Sequence, residues 1–146
     1  MKKLEFGWFL PTAGDSTAYG LPEASVDADS AYFERVITAA ENAGFTYLLI
    51  PVAEQCWEAY ITGAFMAAQS SKISMLIAAR PGYVNPVLLA KMIATFDQLS
   101  GGRICVNLIA GQAELEIKAE GITYEKEDRY ALMEEEVSIM KALWTA

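Results

Sequence analysis

Four mainly apolar runs recur along the chain at intervals of about one βα unit, and helical stretches separate them. The runs are Glu5–Pro11, Thr46–Pro51, Lys72–Pro81 and Arg103–Gly111. A βαβαβαβα order is typical of a parallel sheet whose crossover connections are helices. Because four βα units make half of an eight-unit barrel, the pattern predicts an α/β fold, a TIM-barrel-type (βα)4 half-barrel with parallel strands.

The predicted strands are apolar almost throughout, as in Tyr47–Ile50 and Met75–Ala79. Parallel strands with this composition are usually buried on both faces. A chain of 146 residues that is 53% hydrophobic can bury one core. We therefore expect residues 1–146 to form a single domain, the N-terminal half of a barrel.

The net charge and the cysteine content indicate which partners and which cell compartment to expect. The net charge of −8 would repel both a nucleic-acid backbone and an anionic membrane, so neither is an expected partner. Cys56 and Cys105 are too few for a disulfide framework, and Cys105 lies in a predicted buried strand. The first residues contain no apolar segment long enough for export or membrane insertion. These features predict a soluble cytoplasmic protein.

Helix signals occupy the intervals between the runs. We predict a first helix capped at Asp29 or Ser30 and stopped at Gly44, a second over about 57–69 and a third over about 86–99. A final helix carries an apolar stripe that includes Tyr130 and Met140, and its acidic run Glu134–Glu136 is interpreted as a solvated face. In the second helix, Trp57 and Tyr60 fit core positions better than pocket positions.

The segment Thr12–Asp29 is long for a βα connection. Long connections at this end of a strand often cover a site, but the composition fits a disordered or decorative loop equally well.

Several familiar sites are missing from the sequence. The chain has no histidine, which makes a zinc or non-haem iron site unlikely on composition. It also lacks the glycine-rich phosphate loops and the nucleophile elbow. The remaining candidates follow the strands, where α/β sites are built: Pro11–Ala13, Pro51–Cys56, Ala79–Pro81 and Asn107–Gln112. Small residues such as Ala79 leave room for a flat ring, and Asn107 offers a donor and an acceptor to its edge.

Cys56 and Arg80 are the reactive and the cationic candidates in these segments. Cys56 precedes a helix whose N-terminal dipole would favour the thiolate, and the alternative is an inert thiol. Arg80 could bind an anionic group, but pairing with a carboxylate is the preferred interpretation.

Seven segments, in order along nearly the whole chain, carry a family resemblance. They are Phe9–Thr12, Ala39–Thr46, the segment around Cys56, Ile77–Pro81, Asp97–Arg103, Asn107–Gly111 and Asp128–Tyr130. Together they resemble the bacterial-luciferase-like flavin-dependent monooxygenases, and within these the alkanesulfonate monooxygenase branch.

The resemblance implies a barrel that takes reduced FMN from a partner flavin reductase and uses O₂ to oxidise a small, organosulfonate-like substrate. It implies positions beside the flavin or its phosphate chain for Ala79, Asn107 and Tyr130, and a position in the mouth of the active site for Cys56. Arg129 is expected either beside the cofactor or as a brace for its loop.

Two departures from the family pattern limit what the resemblance implies. Ala13 stands where the alkanesulfonate branch has a histidine, and the second half of the barrel, with its later catalytic residues, is not in this sequence. We therefore expect a homo-oligomer, most simply a homodimer, because a lone half-barrel exposes sheet edges and an apolar face.

Three functions remain open. The first is an FMN-dependent monooxygenase of half length with weak or lost activity. The second is a non-catalytic flavin-binding or structural half-barrel that dimerises. The third and least favoured is a flavodoxin-like doubly wound domain.

Overall fold

The computed structural model describes residues 4–111 and 114–146, so Gln112 of the last candidate segment lies outside the described part. The strands are β1 (Gly7–Phe9), β2 (Asp15–Ser16), β3 (Ser25–Val26), β4 (Tyr47–Ile50), β5 (Ser74–Ala79) and β6 (Ile104–Leu108). The helices are α1 (Ser30–Asn42), α2 (Ala59–Ala68), α3 (Pro86–Ser100), α4 (Glu114–Ala119) and α5 (Lys126–Thr145), with a 3₁₀ turn at Pro22–Ala24.

The central sheet confirms the predicted half-barrel topology. Its four strands are parallel and lie in the order β1-β4-β5-β6, which is their order along the chain. The register aligns Phe9 with Leu49, Leu49 with Leu76, and Leu76 with Cys105. Each crossover carries a helix, as the alternation of runs and helical stretches predicts.

The helix boundaries follow local capping chemistry. Asp29 caps α1 as predicted, because its Oδ1 accepts a 2.6 Å hydrogen bond from the Tyr32 amide. The second helix begins at Ala59, two residues later than predicted, because the Glu58 carboxylate accepts from the amides of Tyr60 and Ile61 at 2.9 and 2.6 Å. Gly101 ends α3 in the left-handed conformation, with φ of 68°.

The two faces of the sheet differ in burial. On the face covered by helices, Leu48, Ile50 and Met75 are fully buried. On the opposite face, Phe9 is 45% exposed and Cys105 is also exposed. The prediction that both faces are buried, and that Cys105 lies in a buried strand, is therefore wrong for this face. The described helices pack on one side only, and a closed barrel would enclose the other.

The final helix corrects a second prediction. Glu136 is buried rather than solvated, and its Oε1 accepts a 3.0 Å hydrogen bond from the Gly82 amide. Burial raises the pKa of Glu136, the Gly82 hydrogen bond acts in the opposite direction, and the Glu135 charge raises it further. The Trp144 indole donates to the Ala90 carbonyl at 3.1 Å, which fastens α5 to α3.

The long first connection has its own structure. Strands β2 and β3 form a short antiparallel hairpin within it. The Tyr32 hydroxyl donates to Asp15 at 2.5 Å, and burial, this hydrogen bond and the Asp15 charge together raise the pKa of Tyr32 to about 12. The sequence did not predict the hairpin or α4, because both are shorter than a recognisable hydrophobic period.

Among the described residues, no helix combines the length and the apolar character needed to cross a membrane.

Candidate functional site

A cavity of about 330 Å³ opens at the carboxyl ends of β4 and β5. It is enclosed by the loops that follow these strands, the first turns of α2 and α3, and the end of α4. Most of its wall is apolar or aromatic, including Val52, Trp57, Val84 and Leu89. Sites in parallel α/β proteins form at this end of the strands, so the cavity is the candidate site. No residue of the 13–29 connection lines it.

Two of the predicted site residues, Cys56 and Ala79, line the cavity. Cys56 is half-buried, and its amide donates to the Ala53 carbonyl at 3.0 Å. The Glu58 carboxylate occupies the amides at the start of α2. The dipole of α2 is thus directed at Glu58 rather than at Cys56, which removes the expected reason for a stabilised thiolate. Cys56 itself lies in the cavity wall.

Arg80 is the buried cation of the cavity. It is 3% exposed and forms an ion pair with Glu120, whose side chain is also buried. The contact joins Nε to a carboxylate oxygen of Glu120. One terminal nitrogen donates weakly to the Val52 carbonyl at 3.4 Å, and Nη1 has no hydrogen-bond partner among the described residues. The preferred interpretation, that Arg80 pairs with a carboxylate, is confirmed.

Two tyrosines complete the polar part of the wall. Tyr60 is 7% exposed, and no residue in the described part of the chain forms a hydrogen bond with its hydroxyl. Burial, followed by the nearby Glu58 charge, raises the pKa of Tyr60. The pKa of Tyr83 is also raised, first by partial burial and then by the Glu120 carboxylate, while Arg80 acts in the opposite direction. Both hydroxyls therefore stay protonated at neutral pH and can donate hydrogen bonds.

The other predicted site residues gather at the end of β6. Arg129 is buried and donates to the carbonyls of Ala110 and Tyr124 at 2.8 and 2.7 Å. The Tyr130 hydroxyl lies beside Gly111, 3.0 Å from where a Cβ atom would stand. Gly111 thus leaves the space that this hydroxyl occupies. The contacts of Arg129 are those of a brace for the loop after β6.

Asn107 lies within β6. It is partly exposed and is paired in register with Ala78, which itself lines the cavity. Strand alternation places Asn107 and Ala78 on the same face of the sheet and Ala79 on the other, although Ala78 and Ala79 are both buried. The structure therefore places Cys56 and Ala79 in the cavity wall, Asn107 on the strand next to it, and Arg129 and Tyr130 against the segment after β6.

Sequence reasoning missed three polar residues of the site. Tyr60 was assigned to the core because aromatic residues at helical spacing are usually core, and it is both buried and part of the cavity wall. Tyr83 lies in the turn after β5 and Glu120 directly after the short helix α4, and neither segment has a recognisable sequence pattern. The only sequence signal for Glu120 was that a buried arginine such as Arg80 requires a carboxylate partner.

Solved structures share this fold. The EDTA monooxygenase from Chelativorans sp. BNC1 superposes with a TM-score of 0.81 at 17% identity, over 98% of this chain and 37% of that one. A long-chain alkane monooxygenase superposes with a TM-score of 0.79 at 20% identity, over 99% of this chain and 39% of that one. The oxygenating constituent of 3,6-diketocamphane monooxygenase from Pseudomonas putida, solved in complex with FMN, superposes with a TM-score of 0.69 at 21% identity, over 96% and 39%.

The chain spans less than two-fifths of the length of each of these proteins. At such identities the likeness establishes the fold alone. Membership rests on the sequence itself, because the profile of the luciferase-like monooxygenases matches residues 4–146. This chain belongs to the luciferase-like monooxygenase family.

Proposed function

We propose that the chain is the N-terminal half-barrel of an FMN-dependent monooxygenase, which uses reduced FMN and O₂ to oxidise a small organic substrate. The observation that carries the proposal is the cavity at the carboxyl ends of β4 and β5, with Cys56 in its wall and Asn107 paired in register with Ala78 of the wall. Family membership supports the reaction class. In a cytoplasmic setting, a partner flavin reductase would supply the reduced cofactor.

The residues at the β6 side fit a flat, polar-edged cofactor. The uncovered sheet face offers partly exposed apolar side chains, such as Leu76, for a ring to lie on, and the Asn107 amide can donate to and accept from the ring edge. Tyr130 would contribute its hydroxyl, and Arg129 would hold the loop in place through Ala110. Bound reduced FMN would supply the electrons for the activation of O₂. The FMN complex of the diketocamphane enzyme supports the choice of cofactor.

The proposal also includes a second protein chain that covers the exposed face of the sheet. The uncovered face carries Phe9 and Cys105 in contact with solvent, and apolar faces of this kind favour association. We propose that a second copy of the chain covers this face in a homodimer. A half-length form with weak or lost activity fits a site built from one half of the barrel.

The second candidate is a non-catalytic half-barrel that binds flavin or serves as a structural subunit. The pairing of Arg80 with Glu120 favours this alternative, because the main cation of the cavity is already engaged within the protein.

The organosulfonate expectation receives little support from the charges of the cavity. Among the described residues that line it, Arg80 is the sole cation, and Glu54, Glu58 and Glu120 are acidic. A sulfonate would have to displace Glu120 from Arg80 and enter a net negative environment.

The test is a titration of the full chain with oxidised and with reduced FMN, followed by flavin fluorescence, with the mass of the protein recorded by light scattering. We expect micromolar binding by a dimer. Asn107→Ala should weaken binding by about tenfold, as loss of one or two polar contacts would, whereas Asn42→Ala, at the exposed end of α1, should not.

Absence of binding at millimolar FMN would contradict the proposed cofactor. Binding by a monodisperse monomer would contradict the proposed dimer. Binding without O₂-dependent product formation, when a flavin reductase is supplied, would select the non-catalytic alternative.

A further inference from the structure

The turn after β5 carries two residues of the cavity wall. Arg80 and Tyr83 both line the cavity, and they are the first and last residues of a turn that a 3.5 Å hydrogen bond closes, from the Tyr83 amide to the Arg80 carbonyl. Proline in the second position and a glycine with positive φ in the third are typical of a type II turn. Pro81 and Gly82, whose φ is 86°, hold these positions. The placement of this turn therefore fixes where Arg80 and Tyr83 stand in the wall.

The Gly82 amide needs an acceptor from outside the turn. In a β-turn the amide of the third residue takes no part in the closing hydrogen bond, and an amide withdrawn from water without a partner costs free energy. Glu136 of α5 supplies the acceptor, with its Oε1 3.0 Å from the Gly82 nitrogen. A Cβ atom at position 82 would stand 3.2 Å from Leu132 of the same helix, so the turn lies directly against α5.

A carboxylate at position 136 is costly for the fold. Glu136 is 4% exposed, and among the described residues it forms no ion pair. Burial without a counter-charge disfavours a carboxylate, and burial is the main cause that raises the pKa of Glu136. The contact with Gly82 is a hydrogen bond to an ionisable acceptor, which is stronger than a bond between neutral groups when the carboxylate is charged. The cost of burial is thus offset at the turn after β5.

The same face of α5 also holds the neighbouring strand-end segment. Arg129 lies about two turns before Glu136 on α5 and donates to the Ala110 carbonyl after β6. Arg129, Glu136 and Met140 are the buried residues of this helix. Each of the two charged side chains therefore reaches one segment that follows a strand. For Glu136, that segment is part of the cavity wall.

We propose that Glu136 is a positioning residue of the candidate site. By holding the Gly82 amide, it fixes the turn after β5 and thereby the places of Arg80 and Tyr83 in the cavity wall. Glu136 does not itself line the cavity and acts through the turn. The inference rests on the proposed function, since it concerns the same cavity, and it assigns α5 a part in the site besides its packing on α3.

The test uses Cys56 as a reporter, because this thiol lines the same cavity. The full chain is treated with N-ethylmaleimide without FMN. Mass spectrometry follows the modification of Cys56 and, in the same sample, of Cys105, which is exposed on the uncovered face of the sheet. Glu136→Leu removes the acceptor for the Gly82 amide, so the turn should leave its position more often. We expect the Cys56 rate to rise about fivefold, as loss of one hydrogen bond would allow, and the Cys105 rate to change by less than about twofold.

Two further variants separate positioning from a general loosening of the fold. Glu136→Gln keeps an acceptor oxygen at the same place, so its Cys56 rate should stay within about twofold of the parent chain. Glu135→Leu is the matched control, because Glu135 is the exposed neighbour on α5, and it should change neither rate. A Cys56 rate that Glu136→Leu leaves unchanged, an equal rise for both cysteines, or no recovery in Glu136→Gln would contradict the inference.

Hydrogen exchange of the Gly82 amide is a second measurement, and it does not depend on the folding of any variant. In the parent chain we expect this amide to exchange at least about tenfold more slowly than a free amide. Exchange as fast as in an unfolded chain would overturn the inference.

An FMN titration of the same samples keeps the two proposals distinct. The expected cysteine rates without FMN binding would leave the positioning role standing and remove the proposed cofactor. FMN binding without the expected cysteine rates would remove this inference and leave the proposed function standing.

Discussion

The two ends of the sheet differ in how fully an arginine side chain is hydrogen-bonded. At the amino end of β6, every part of the Arg103 guanidinium has a partner. Nε donates to the Ser100 carbonyl at 2.8 Å, Nη1 to Ser70 and to the Ile73 carbonyl at 2.8 and 3.2 Å, and Nη2 to the Ala67 carbonyl at 2.8 Å. At the carboxyl end of β5, Arg80 has one ion pair and one weak hydrogen bond within the residues that the structure describes.

The acidic residues show the same contrast. Near the amino end, the Glu41 carboxylate accepts from the amides of Ser71, Lys72 and Ile73 and from the Ser71 hydroxyl, at 3.0 to 3.4 Å. At the carboxyl end, Glu120 forms an ion pair with Arg80 and raises the pKa of Tyr83. Glu41 and Arg103 at the amino end therefore have more hydrogen-bond partners than Glu120 and Arg80 at the carboxyl end.

The largest expected effect is loss of the Arg103 network. Arg103→Met removes the donors of four hydrogen bonds and leaves carbonyls at the ends of α2 and α3 without partners. We expect the free energy of unfolding to fall by about 3 kcal/mol, measured by urea unfolding. Arg35→Met, at an exposed position on α1, should change it by less than about 1 kcal/mol. Equal effects of the two substitutions would contradict the structural role of Arg103.

At the other end, replacing both Arg80 and Glu120 should change the free energy of unfolding by a smaller amount and should raise it. Arg80→Met combined with Glu120→Leu replaces two buried charges with apolar side chains, which is typically neutral or stabilising by about 1–2 kcal/mol. Arg80→Met alone should destabilise, because Glu120 would be buried without its counter-charge. Thermal unfolding of both variants provides the measurement, and a double variant as unstable as Arg103→Met would remove the distinction between the two ends.

The smallest effect concerns Glu41 and depends on pH. Partial burial acts to raise the pKa of Glu41, but the hydrogen bonds from Ser71, Lys72 and Ile73 outweigh it and lower the pKa. A lowered folded-state pKa gives stability that is present above the ordinary glutamate pKa and is lost as pH falls through the folded value.

Glu41→Gln should therefore cost about 0.5–1 kcal/mol at pH 7, after allowance for solvent screening, and progressively less in acid. Denaturation curves at pH 7 and near pH 3 test the sign. A cost that is independent of pH would mean that the carboxylate charge contributes nothing.

More of the fold than of the candidate site could be predicted from the sequence. Strand order and the helix ends at Asp29 and Gly101 follow from periodicity and capping, which act over a few residues. The burial of Glu136 and the pairing of Arg80 with Glu120 depend on contacts between segments 54 and 40 residues apart in the sequence, which no local pattern encodes. The positions of Cys56 and Ala79 in the cavity wall could be predicted, because the end of a strand and the loop after it are themselves local signals.

The hydrogen bond between Glu136 and the Gly82 amide also bears on the order of folding. It ties the loop that carries Arg80 and Tyr83 to the last long helix, across 54 residues of sequence. Contacts that close such long loops form later than local ones. The strands of the βα units can therefore pair before the cavity has its final shape. In a refolding experiment, the time at which a ligand begins to protect the cavity residues would mark the docking of α5.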